Sequence, residues 1–370
     1  MLSPVGKAIV SPTIGLVAPC LAGVLIAASS YRLPDPQCRT LRGVAAHVPR
    51  SPPASDGRHH MSDQSVPSEP DEMVEGPGRF EILARQLEAS DDYGVLRRLR
   101  PRTQFCAPDG ASTRVGIILD VETTGLDPTR DEIIELAMIS FEFASDGRIF
   151  RVLDVFEQLR EPSIPIPAEI TKLTGIDAAM VEGKTIRPDE VAAFASSAAV
   201  IIAHNAAFDR RFVERAYPVF STKAWACSLS QVEWKQEGFD GAKLAYLLAG
   251  CGLFHDGHRA SEDCHGLLEV LSRELLMSGE LGLKRLLDTA RRPTWKIWAE
   301  NSPFEAKDVL KARGYRWNDG ANGRPKAWWT DVTEERRDDE IRFLRLDIYQ
   351  YEADIFSKKI TAFDRFSERA

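Results

Sequence analysis

The chain has 370 residues, 44% of them hydrophobic and 28% charged, enough for an ordinary core in more than one domain and inconsistent with a fibrous or wholly disordered protein. A net charge of −8 and a pI near 5.5 exclude a protein that coats duplex DNA with a broad basic face, because neutralising phosphates takes an excess of Lys and Arg. A nucleic acid would have to be gripped locally, with bound cations supplying part of the positive charge. The six cysteines, Cys20, Cys38, Cys106, Cys227, Cys251 and Cys264, have neither the spacing of a zinc site nor the density of a disulfide scaffold. They read as reduced thiols in a cytoplasmic protein.

Residues 8–30 are apolar and small and follow Lys7, in the manner of a secretory signal or short anchor, but Pro12, Gly15, Pro19 and Gly23 interrupt the run. From there to about residue 71 the chain is rich in Pro, Ser and Arg without apolar periodicity. The expectation is a disordered or mis-annotated extension over residues 1–75, with translation beginning at Met61 or Met73, and no membrane segment. Residues 76–113 form a lead-in whose apolar spacing over 79–100 predicts a helix or helical pair.

Residues 114–285 form the next unit. Segments 115–120, 133–143 and 149–158 predict three strands in direct succession, the last two joined by a turn at Ser145-Asp146-Gly147. A helix over 189–197, a buried strand over 200–203, and helices over 208–216, 243–249 and 261–276 follow. This order predicts an α/β fold built on a mixed sheet that starts as a three-strand meander, and Gly125 opens no dinucleotide-binding loop. Residues 291–370 read as a small C-terminal domain. Trp295, Trp298, Trp317, Trp328 and Trp329 lie there among Lys296, Arg316, Arg324 and Lys326, and a solvated helical tail runs on from Glu334. Such rings can stack on unpaired bases, but they also build the cores of small domains.

Asp120 and Glu122 stand at the end of an apolar strand in IILDVETTGLD, and positions two apart on a strand share a face. Two carboxylates so placed repel unless a cation lies between them, and hard divalent ions suit an oxygen cluster. Asp209 follows the buried strand in HNAAFD, and Asp263 lies near the start of the last helix in HRASED, five residues after His258. Each piece alone has a plain structural reading: Asn205 and Asp209 suit helix capping, and Ser261 suits an N-cap. Asp127, Asp131 and Glu132 read as solvated turn residues, His204 as a satisfied structural group, and His255 as surface. Together, four carboxylates and a histidine at element boundaries suit phosphodiester hydrolysis, where ions activate water and neutralise the leaving oxygen while a histidine takes the water's proton.

The segments LDVETTG, HNAAFD and HRASED resemble, in order, the three motifs of the DEDDh exonucleases, the DnaQ-like group of the ribonuclease H-like superfamily. The resemblance covers about residues 114–276. It implies a ribonuclease H-like fold, two Mg²⁺ or Mn²⁺ ions, and 3′→5′ hydrolysis to nucleoside 5′-monophosphates. By that match Asp120, Glu122, Asp209 and Asp263 are metal ligands and His258 is the general base. Thr123, Thr124 and Leu126 hold the terminal nucleotide, joined by Asn205 and Phe208 of the second motif. PAEITKLTGI resembles the family's substrate loop and adds Glu169 and Thr174, although proofreading subunits often carry a histidine where Thr174 stands. The implied partner is a nucleic-acid 3′ end, single-stranded DNA first and RNA second, with a polymerase or repair protein as a further partner. The alternatives are an exoribonuclease of the ribonuclease T or oligoribonuclease type and an inactive nucleic-acid-binding module.

Overall fold

The computed structural model describes residues 78–321 and 323–369. The expectations for residues 1–77, including both candidate start sites, lie outside the described residues. The chain divides between Val95 and Leu96 into two units. Of the first, one helix is described, α1 (Arg79–Glu88), with Phe80, Ile82, Leu83 and Leu87 exposed. Among the described residues no second helix follows it in the lead-in. Ser90, Asp91, Asp92 and Gly94 break the periodicity, because these residues favour turns over helix interiors.

In the second unit β-branched runs form the strands. β1 (Thr113–Thr123), β2 (Ile133–Ala144) and β3 (Ile149–Leu159) are an antiparallel meander, turned between β2 and β3 by Gly147 at φ +87°. β4 (Val200–Ala203) pairs parallel to β1, and β5 (Trp225–Cys227) pairs parallel to β4. The sheet order is therefore β3-β2-β1-β4-β5, the mixed α/β arrangement expected of a ribonuclease H-like fold.

Alternation along β1 decides what covers each face. Ile117, Leu119 and Val121 point to the side filled by Val191 and Ala195 of α2 (Pro188–Ala195) and Phe212 and Val213 of α3 (Ala206–Ala216). Ile118 points to the other side, against α4 (Leu244–Gly250), α5 (Ala260–Leu271) and α6 (Gly282–Arg291). Asp120 and Glu122 share the parity of Ile118, so the sheet directs them toward α5. The helix predicted over 261–276 starts at Ala260 and ends at Leu271. Its cap is tertiary: the Ala260 N–H donates to the Glu135 carboxylate on β2 at 3.0 Å, which displaces the expected Ser261 cap.

A second sheet, order β9-β6-β8-β7, is antiparallel throughout and comprises β6 (Thr294–Ala299), β7 (Arg316–Trp317), β8 (Trp328–Thr333) and β9 (Ser357–Ile360). Its core holds Ile297, Ala299, Leu310, Tyr315, Val332, Leu344 and Ile348, with Trp295 and Trp328 packed against it.

The expectation of a solvated helical tail from Glu334 is corrected. After the helix Arg337–Phe343, a π-helical stretch and β9, residues 361–369 lie on the five-stranded sheet and α3. Trp225 on β5 donates its N–H to the Ala362 carbonyl at 2.8 Å. Arg210, 0% exposed, donates to the carbonyls of Phe363 at 2.7 Å and Arg365 at 2.6 Å, while Arg369 and Ser367 bind Glu214 at 2.6 and 2.7 Å. Buried guanidinium and carbonyl groups need each other's hydrogen bonds, and the sequence period of a helix carries no sign of that dependence. Deleting residues 361–370 removes two carbonyl acceptors from buried Arg210 and leaves it only the longer Glu214 contact at 3.4 Å, with an expected loss of about 3 kcal/mol in urea unfolding. A midpoint unchanged by the deletion would show that the strap contributes nothing. Among the described residues no helix is long and apolar enough to cross a membrane.

Candidate active site

Strand β1 delivers Asp120 and Glu122 to one face, and the first turn of α5 delivers Asp263 to the same place. One ligand oxygen from each of the three lies within 4.8 Å of the others. Each carboxyl group keeps an opening to solvent, yet protein surrounds it on most sides. Asp209, near the start of α3, is only 2% exposed and is felt electrostatically at Asp120 and Glu122.

The charges are in conflict. Burial first, and then repulsion from Asp209, Asp263, Glu122 and Glu135, holds the Asp120 carboxyl well above the usual carboxylate range. Burial and the neighbouring acids Asp263, Glu135 and Asp209 push Glu122 up to about 8, with Arg259 opposing them. Burial pushes Asp209 up to about 7, against backbone hydrogen bonding that includes Val121. A cluster of oxygens that cannot all ionise by themselves fits a divalent cation, which would supply the missing positive charge.

The raised values shape the stability of the metal-free protein. Between its ordinary 4.5 and about 8, Glu122 keeps its proton in the folded state and has lost it in the unfolded state; Asp209 behaves alike between 3.8 and about 7. The folded state therefore binds more protons in that window, and stability falls as pH rises through it. In EDTA, Tm is expected to decline across this range, and added Mg²⁺ should raise it most at the alkaline end. A Tm that rises through the same range would contradict the cluster.

Asp263 is held at both oxygens. The ring Nε2 of His255 lies 2.6 Å from Oδ1, and the backbone N–H of His258 donates to Oδ2 at 3.1 Å. The reading of His255 as surface is thus corrected: its side chain is 5% exposed and braces Asp263. His258 is exposed, on left-handed backbone at φ +67°, directly beside the acids. The next residue, Arg259, forks Glu135 with its Nη2 at 2.7 Å and its Nε at 3.2 Å. Glu135, 0% exposed, stands opposite Glu122 in the β1–β2 register, so the Arg259–Glu135 pair pins the His258 loop to the sheet. Sequence reading passed over Glu135 and Arg259 and left His255 on the surface. A single acid inside the apolar run IIELAMIS was the available signal for Glu135, since a lone charge in a buried strand needs a partner.

The turn after β1 is closed by its own polar groups. Thr124 accepts the Glu132 N–H at 3.0 Å and Thr123 donates to the Gly125 carbonyl at 2.5 Å, so both buried hydroxyls are engaged within the turn. Asp131 and Glu132, expected to be solvated, are structural. Asp131 accepts the Asp127 N–H at 2.8 Å and packs so closely on Gly125 that a Cβ there would meet its Oδ2 at 2.5 Å. Glu132 pairs with Arg160 at 2.8 Å.

Leu126 is 82% exposed at the tip of this turn. Glu169 is exposed on the helix Ala168–Thr174, whereas Thr174 is buried, donating to the Ile170 carbonyl at 3.0 Å and accepting the Ile176 N–H at 3.1 Å. Asn205 precedes α3 without a side-chain cap bond, and Phe208 packs on Phe212 at 4.9 Å between ring centroids. His204 is satisfied at one nitrogen only: Nδ1 meets the Ser228 hydroxyl at 2.8 Å, while Nε2 has no partner among the described residues.

Residues 117–271 match the family model RNase_T, described as "Exonuclease". The chain is 30% identical over 216 residues to the DNA polymerase III PolC-type protein of Caldanaerobacter subterraneus subsp. tengcongensis, covering 54% of this chain and 15% of that one. It is 35% identical over 171 residues to the 3′-5′ exonuclease DinG of Bacillus subtilis, covering 42% of this chain and 18% of that one. It thus spans less than a fifth of the length of either relative. Among solved structures, exonuclease X in complex with 5′ overhanging duplex DNA aligns at 25% identity over 47% of this chain and 98% of that chain, with a TM-score of 0.35. Residues 117–271 thus match the RNase_T exonuclease model, and the three motifs within them resemble the DEDDh group.

Proposed function

We propose that the chain is a 3′→5′ exonuclease that removes nucleoside 5′-monophosphates from the 3′ end of a DNA strand, single-stranded DNA first. The observation that carries this reading is the convergence of Asp120, Glu122 and Asp263, from segments 141 positions apart by subtraction of their numbers, onto one point within 4.8 Å. Asp120, Glu122, Asp209 and Asp263 would hold two divalent ions, Mg²⁺ or Mn²⁺. Such a pair supplies Lewis-acid stabilisation of the phosphate and a more acidic attacking water.

The protein's own groups do the rest. His255 and the His258 N–H fix the orientation of Asp263. The Arg259–Glu135 pair holds the loop so that the exposed imidazole of His258 can reach the attacking water and take its proton. Leu126 stands free to contact the terminal base, with Glu169 and Phe208 as further contacts. Thr123 and Thr124, their hydroxyls and the Thr124 N–H already engaged, shape the turn beside the terminal nucleotide. Asn205, exposed beside Asp209, and Thr174, bound to its own helix, are the outer members of the set.

DNA is favoured over RNA because the matched relatives are named for DNA polymerase III and DinG. A replication or repair partner and a cytoplasmic setting belong to the same reading, and the free thiols of Cys106, Cys227, Cys251 and Cys264 support the latter. The experiment is an assay of the purified chain on labelled DNA and RNA, single- and double-stranded, with Mg²⁺, Mn²⁺ or EDTA. Release of 5′-mononucleotides from DNA in the two metals and none in EDTA is expected. Faster release from RNA, or release in EDTA, would overturn the reading.

A further inference from the structure

The C-terminal sheet has two faces, and only one is accounted for by its apolar core. Alternation on β6 sends Trp295, Ile297 and Ala299 inward and turns Lys296 and Trp298 to the opposite face. Register places Trp329 opposite Trp298, Asp331 and Lys358 opposite Lys296, and Arg316 opposite Trp329. One indole therefore carries two cations: the Lys296 ammonium lies 4.7 Å from the Trp329 ring centroid and the Arg316 guanidinium 4.6 Å from it.

Lys296 is only 7% exposed, and among the described residues its ammonium has no hydrogen bond or ion pair, lying on the Trp329 ring with Asp331 opposite. Burial lowers its pKa, Arg324, Lys358 and Arg316 lower it further, and Asp331 opposes them. That carboxylate is also shared electrostatically with Arg316 and Arg365. Lys358 donates to the neutral Arg369 carbonyl at 3.1 Å, which holds the side chain at the rim without cancelling its charge.

Lys296, Arg316, Arg324 and Lys358 gather on this face with the Asp331 carboxylate opposite Lys296, and like charges so gathered repel one another, a cost that an anion laid across them removes. We propose that this face is a second binding site, where Lys296, Arg316, Arg324 and Lys358 hold consecutive phosphates of a single nucleic-acid strand. The choice of a strand rests on the exonuclease reading above, and on the spread of the cations over three strands, β6, β7 and β9, which suits a repeating polyanion. It also fits the acidic chain as a whole: with a net charge of −8, the protein needs a local grip on its polyanion.

The test uses the full chain carrying Asp120→Asn, so that binding is read without hydrolysis, and follows the anisotropy of a labelled oligothymidylate of roughly 16 nucleotides over a series of salt concentrations. Arg316→Glu with Lys358→Glu alters only exposed side chains and avoids the folding risk of Lys296→Met, which is measured beside it. The double variant is expected to weaken binding roughly tenfold or more and to flatten the salt slope by about 0.7 for each phosphate that the protein no longer neutralises. In the chain with Asp120 intact, hydrolysis of an oligomer of about 4 nucleotides, too short to bridge the two sites, should be unchanged by the double variant. Unchanged affinity and slope for the long strand would overturn the proposal. So would competition by inorganic phosphate that is lost in the double variant while strand binding is retained, because that marks a free-anion site. A wild-type chain that binds strands through this face yet hydrolyses none would refute the exonuclease reading and leave this site standing.

Discussion

Asp120→Asn is expected to abolish turnover while making the metal-free protein more stable. The two effects have one cause. Asp120 is raised by burial and then by repulsion from Asp209, Asp263, Glu122 and Glu135, so its ionised form costs free energy in the folded state. An amide of the same shape removes that repulsion, so in EDTA near neutral pH the variant should melt higher than the parent. The same change takes an anionic ligand from the ion-binding cluster, and the reaction depends on charge stabilisation that one ligand set must supply. The expected loss is at least about 10⁴-fold in kcat, the upper end of what a single proton-transfer group contributes. Both are measured on one preparation, by thermal melts in EDTA and by nucleotide release in Mg²⁺. Retained turnover, or a variant that melts lower in EDTA, would show that Asp120 is a structural group.

Replacing His258 is expected to lower kcat by roughly 10²–10⁴ with the affinity for strand and metal preserved. The geometry permits a clean experiment, because Asp263 is held by the backbone N–H of His258, which every substitution except proline retains. The backbone there is left-handed at φ +67°, so His258→Ala adds strain that His258→Asn avoids, since Asn tolerates this region. The two variants should fall equally in kcat, and imidazole added to the assay should restore part of the loss. If Asn retains full activity while Ala loses it, the position acts through the loop's conformation, and the proton acceptor lies elsewhere. His255 is the control: it braces Asp263 through its ring, so His255→Ala should weaken metal binding, and imidazole is not expected to restore it.

The route from residues to architecture was short where local pattern and burial coincide. Three apolar runs with a Ser-Asp-Gly turn make a meander because strand period and turn chemistry agree, and 115–120, 133–143 and 149–158 all lie within the observed strands. The three motif acids on the α5 side were legible too, since Asp120 and Glu122 share parity on a strand and Asp263 opens a helix. The same reading failed for side chains whose partners no local period marks. Glu132 finds Arg160, His255 finds Asp263, and Arg259 reaches Glu135 across 124 positions. The C-terminal tail failed for a related reason: its charged periodicity fits a solvated helix, while its backbone carbonyls are called on by Arg210, 153 and 155 positions earlier.

What the amino-acid sequence determined by itself is therefore the three-strand meander, the layered α/β plan and the placing of Asp120, Glu122 and Asp263 at element ends, because helix and strand periods, turn residues and motif spacing are local properties. Only the tertiary structure decided how Asp263 is held at both oxygens, that a buried Glu135 caps α5 and ties down the His258 loop, and that the last residues strap α3. Those depend on the conformation of the 255–258 loop and on hydrogen bonds and charge pairs closed across long stretches of chain, which packing sets and which leave no period in the sequence.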